Sequence, residues 1–192
     1  MTREAFIGLA LADCVRNNVS VKILQKKSIQ KCGGWFCSNP LEMVCAYKAR
    51  LGFEILIHEY NHFLQWKDDN EFWVRCGGND GDFHTWLMDD SFKLSKKKVD
   101  ICYNQAVELE RDCEIRSIQM IKDYALDVDV EKYTKEANAY LYVYHECKKL
   151  REWNPYPIYT PKILEKMPNV ILPLECYQKS VDINGKRVHL KR

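Results

Sequence analysis

The stretch GFEILIHEYNHFLQW, residues 52–66, decides how this chain is read. Leu51, Ile55, His58, Glu59, His62 and Trp66 recur at helical spacing, and Phe53, Ile57 and Leu64 widen the apolar face. From Ala49 onward this pattern predicts a helix of about four turns. Inside it, His58-Glu59-Tyr60-Asn61-His62 sets two imidazoles one turn apart on one helical face. Residues at i and i+4 are neighbours on a helix, so both rings can aim a nitrogen at one ion, at roughly the 2.0–2.1 Å usual for zinc. Glu59 points to the side of the same cleft. Its carboxylate is too short to reach the ion comfortably but can touch a water on it. Zinc lowers the pKa of such a water towards about 7, so Glu59 can accept its proton and pass it to a leaving amine. The plain alternative is a pair of ordinary core histidines. The strong periodicity of the surrounding helix favours the metal.

A catalytic zinc takes three protein ligands and keeps one position open. The third is sought in VELERDCEIRSIQMI, residues 107–121. Val107, Glu110, Cys113 or Glu114, Ser117 or Ile118, and Ile121 form one stripe of a helix there, apolar or small apart from the two glutamates. A carboxylate on a buried stripe is costly unless it meets a cation. Glu110 is therefore the expected third ligand, and the competing expectation for it is a buried ion pair with Arg116. Glu114, one turn later, is placed to orient a ligating histidine. Glu108 shares a more solvated face with Arg111, Ile115, Gln119 and Lys122 and stands as the alternative ligand.

The rest of the chain narrows the class. Its 192 residues suit a single domain over 1–192, and an apolar fraction of 46% is enough for a core. With 29% charged residues and no long apolar run, neither disorder nor a membrane span is expected. A net charge of +2, well mixed, gives no reason to expect nucleic acid as a partner. Lys96, Lys97 and Lys98 read as a solvated surface. The opening MTREAFIGLALADC has no clear cleavage site, and nine cysteines at irregular spacing suggest reduced thiols in a cytoplasmic protein. Cys32, Cys37, Cys45 and Cys76 lack the pair spacing of a structural zinc site.

The expected elements run as follows. A helix spans residues 2–16, and strands follow at Val19–Leu24, Trp35–Cys37 and Leu41–Tyr47. After the motif helix, Lys67–Ser95, rich in Asp, Asn and Gly, reads as loop, with the Gly77–Gly81 stretch as a rim over the cleft. Long helices are expected from about Lys97 to Tyr124 and from about Val130 to Trp153, the latter capped by Asp129 and ended by Pro155, Pro157 and Pro161. A short helix near Lys162–Met167 and an irregular or stranded tail close the chain. The fold class is α+β: a small N-terminal sheet, the metal-binding helix, then two further long helices.

His58-Glu59-x-x-His62 followed by a distant helical glutamate resembles the gluzincin branch of zinc metallopeptidases. In that branch the third ligand comes from an E-x-x-x-D-type segment on a helix packed beneath the motif helix. The separation from His62 to Glu110 (110 − 62 = 48) suits it. The chain has Glu114 where that pattern has aspartate, and Glu108-x-x-x-Asp112 matches the pattern literally. The resemblance also implies an edge strand, Leu41–Tyr47, that aligns a peptide substrate. No His-x-x-Gly-x-x-His extension follows His62, which argues against the metzincin branch. The segments GGWF, HEYNHFLQW, LERDCEIRSI and KEANAYLYVYHECKKLREW, within about residues 33–153, are similar to uncharacterised metallopeptidase-like proteins of tailed phages. The implied function is zinc-dependent hydrolysis of a protein or peptide substrate, in the host cytoplasm if the chain is phage-encoded. The alternatives are a zincin-fold binding or virion-associated protein with a structural or vestigial metal, and an effector acting on one bacterial protein. Tyr140, Tyr144, His145 and His84 are candidate oxyanion donors, and Asn138–Tyr140 is expected to pack on the motif helix.

Overall fold

The structure is a computed structural model that describes residues 1–30, 32–78, 81–153 and 157–177, with strand residues 182–183 and 186–187. The chain divides into two compact units, Met1–Asn79 with Ile115–Val128, and Asp80–Glu114 with Asp129–Arg192. The architecture is mixed α and β, with a three-stranded sheet and several long helices.

In the first unit, helix α1 (Arg3–Arg16) starts at Thr2, whose hydroxyl accepts the Ala5 amide at 3.2 Å. Phe6, Ala10 and Cys14, spaced four apart, form its buried stripe. Strands β1 (Ser20–Leu24), β2 (Gly34–Ser38) and β3 (Leu41–Ala46) follow in the order β1-β3-β2. β3 runs parallel to β1, from Ser20↔Glu42 to Leu24↔Ala46, and antiparallel to β2, from Gly34↔Cys45 to Ser38↔Leu41. This corrects the reading of Leu41–Tyr47 as an edge strand. β3 is the central strand, and pairing on both sides uses its backbone donors and acceptors. Its position follows from its apolar residues: Met43, Val44, Cys45 and Ala46 are all buried.

Helix α2 (Gly52–Asp68) carries the motif and packs on β2 and β3. Two glycines permit this close approach. A Cβ on Gly52 would lie 2.2 Å from the Tyr47 carbonyl, and one on Gly34 would lie 2.7 Å from that of Val44. Tyr60 and Lys67 of α2 both reach Asp13 of α1, at 3.0 and 2.9 Å. Helix α3 (Asn70–Arg75), capped by Asp69, brings Trp73 into the core. The last part of this unit is Ile115–Asp123, the end of the long helix α5 (Lys96–Asp123). Asn61 Nδ2 donates to Ser117 Oγ at 3.2 Å and so ties α2 to α5.

The second unit holds α4 (Asp82–Met88), the first part of α5, α6 (Val130–Leu150), α7 (Pro161–Leu164), α8 (Leu174–Tyr177) and the short pair β4 (Asp182–Ile183) and β5 (Lys186–Arg187). Phe83, Tyr103, Val107, Leu141, Tyr144 and Tyr177 belong to its core. Lys67–Ser95 is thus not simply a loop, since it holds α3 and α4. Both are too short for a periodic signal; Trp73 is the buried anchor of one, and Phe83 and Leu87 are those of the other. Of the expected rim, Asn79 and Asp80 lie outside the described residues. Asp129 caps α6 as expected, accepting the Lys132 amide at 3.0 Å. The helix ends at Leu150, however, before the prolines, of which Pro155 lies outside the described residues. Arg151 takes φ 52, and its guanidinium donates to the carbonyls of Trp86, Asp89 and Phe92 at 2.9–3.0 Å. Tertiary hydrogen bonds set that end. Within this unit, Asn138 Nδ2 donates to the Pro168 and Val170 carbonyls, both at 3.0 Å, and its Oδ1 accepts from Tyr177. Among the described residues, no helix is long and apolar enough to cross a membrane.

Candidate metal centre

His58 and His62 face each other across one turn of α2. Their Nε2 atoms lie 3.1 Å apart and their rings are nearly perpendicular, at 87°. Two nitrogens at roughly 2.0–2.1 Å from a tetrahedral ion are separated by about 3.3 Å. The pair therefore fits zinc with only a small opening. His62 is 6% exposed and His58 is half-buried, so an ion between them could still be reached. The Trp73 ring lies edge-on to His62 with centroids 6.1 Å apart.

His62 has a partner that the sequence reading missed. Its Nδ1 lies 2.7 Å from Oε1 of Gln65, which is fully buried on the same helix. The available signal was a polar amide at i+3 from His62, on the face that also carries His58 and Asn61.

Glu59, also 6% exposed, turns towards the start of β2. Its Cγ lies 3.2 Å from where a Gly34 Cβ would stand. Burial raises the thiol pKa values of Cys32 and Cys45, and the Glu59 charge raises both further. Gly34 thus leaves the space that the Glu59 side chain fills.

On α5, Val107, Glu110, Cys113, Glu114, Ser117 and Ile121 are all buried, at the spacing of one helical stripe. Glu108 is half-buried, and Ile115, Gln119 and Lys122 are exposed. Glu110 accepts a hydrogen bond from Tyr144 at 3.0 Å, and Glu114 accepts one from Tyr133 at 2.7 Å. Arg116 pairs with Asp69 at 3.3 Å. The Tyr144 hydroxyl also meets those of Tyr140 at 3.1 Å and His84 Nε2 at 3.3 Å. Burial and the neighbouring Glu110 hold the Tyr144 pKa well above its ordinary value, so it stays a donor. Three of the four candidate oxyanion donors thus meet at the Tyr144 hydroxyl, which donates to Glu110. His145 lies elsewhere, its ring centroid 6.5 Å from that of Tyr103, and burial lowers its pKa. His84 is on α4, not in a loop.

Among the described residues, one group of donors could hold a metal ion: His58, His62 and Cys113. All nine cysteines are free thiols. Compared with protein-family models, curated proteins and solved structures, the chain gives no match.

Proposed function

We propose that this protein is a zinc-dependent peptidase in which His58 and His62 hold the metal and Glu59 is the general base. The observation that carries this reading is the convergence of the two Nε2 atoms at 3.1 Å, with Glu59 buried on the intervening turn. A bound zinc would act as a Lewis acid and bring the pKa of a coordinated water towards about 7. Glu59 takes the proton on its carboxylate and returns it to the departing amine. A site that served structure alone would have no use for a carboxylate at that position.

The third ligand comes from the buried stripe of α5. Val107, Glu110, Cys113 and Glu114 are buried at that spacing on this helix. Glu110 is the first choice. Ligating carboxylates are commonly oriented by a hydrogen bond from a second residue, and Tyr144 supplies one. Cys113 is the second choice because its thiol joins the histidines in the donor group, and zinc accepts cysteine readily.

Metal content of the purified protein and hydrolysis of a peptide library test the reading together. Glu59→Gln should keep zinc and lose hydrolysis by about 10²–10⁴-fold. Glu110→Ala should lower zinc content more than Cys113→Ser or Glu108→Ala, and the reverse order moves the assignment. Unchanged metal content in His58→Ala would end the proposal. Zinc kept without hydrolysis of any peptide, and no phenotype for Glu59→Gln, would move the protein to a binding role.

A further inference from the structure

The Gln65 contact determines more than packing. An amide oxygen only accepts hydrogen bonds, so the proton between it and His62 sits on Nδ1. A neutral imidazole carries one N–H, which leaves Nε2 with its lone pair. That nitrogen is the one facing His58. We propose that Gln65 is a positioning residue that locks His62 in the Nδ1–H tautomer and aims its Nε2 at the metal. The inference rests on the metal reading above.

Three features support it. Gln65 lies at i+3 from His62, within direct reach on the same helical face. It is fully buried, so water does not compete for its oxygen. An amide orients the ring without adding a second buried negative charge beside Glu59. With Trp73 edge-on to the ring, the hydrogen bond at Nδ1 leaves His62 little freedom to rotate.

The test uses the full chain with ¹⁵N-labelled histidine. Long-range ¹H–¹⁵N correlations on the metal-free protein read the His62 tautomer, and zinc titration reads affinity. The wild type should show the proton on Nδ1. Gln65→Leu should give a mixed tautomer and zinc binding about 10–100-fold weaker. Gln65→Glu, which keeps an acceptor at the same reach, should restore the tautomer and most of the affinity. Circular dichroism checks folding, and if Gln65→Leu does not fold, the wild type and Gln65→Glu decide on the tautomer. A wild-type His62 protonated on Nε2, or a folded Gln65→Leu with unchanged tautomer and affinity, overturns the role of Gln65 alone. A wild-type protein that takes up no zinc overturns the metal reading instead.

Discussion

Replacing Gly34 with alanine adds one methyl group where the structure has no space for it. The new Cβ would lie 2.7 Å from the Val44 carbonyl oxygen, 3.0 Å from Ile55 Cγ2 and 3.2 Å from Glu59 Cγ. The first contact is with backbone in the central strand, so it cannot be relieved by a rotamer change. Overpacking a well-packed site costs about 1–3 kcal/mol, and a backbone clash belongs in the upper half of that range. At roughly 2–4 °C per kcal/mol for a chain of this size, Gly34→Ala should melt about 4–12 °C below the wild type. Gly8→Ala is the control. Gly8 is exposed in α1, and a Cβ there meets nothing within 4 Å. Removing a helical glycine should stabilise by about 0.5–1 kcal/mol, so the same chemical change raises the melting temperature slightly. Thermal melts followed by circular dichroism measure both variants side by side. A Gly34→Ala protein that melts at or above the wild type would refute the close packing of α2 on the sheet, and with it the placement of Glu59.

Two further outcomes follow from the same structure. Zinc at a hundred times its dissociation constant should stabilise the protein by about 2.7 kcal/mol, and in His62→Ala the corresponding rise in melting temperature should vanish. Asp13 couples α1 to α2. Burial raises its pKa, but hydrogen bonds from Lys67 and Tyr60 outweigh that and leave it below the ordinary value. A lowered folded-state pKa means that the contribution is complete above the unfolded pKa and is lost as pH falls through the folded one. Asp13→Asn should therefore cost about 1–2 kcal/mol at neutral pH, and denaturant melts should show the difference from wild type shrinking in acid.

Much of this protein is legible along the chain because its signals are local. The helical period of residues 52–66 depends only on neighbours three and four apart, so it determines α2 and the pairing of His58 with His62. The buried stripe of α5 is legible for the same reason: Glu110 falls inside and Glu108 towards solvent. Short elements were lost because six or seven residues carry too little periodicity, as in α3 and α4.

Other features needed the tertiary structure because they depend on residues distant in sequence. Strand order is one: nothing within Leu41–Ala46 states that β1 and β2 will flank it. The end of α6 is another, held by carbonyls 59–65 residues away. The meeting of Tyr140 and His84 at the Tyr144 hydroxyl, which donates to Glu110, is a third. The sequence by itself determined that His58 and His62 share one face of a helix, since that follows from helix geometry. Only the tertiary structure decided what surrounds them: Gly34 making room for Glu59, and burial drying the Gln65–His62 contact. Those effects come from desolvation and close approach, which exist only once distant segments pack.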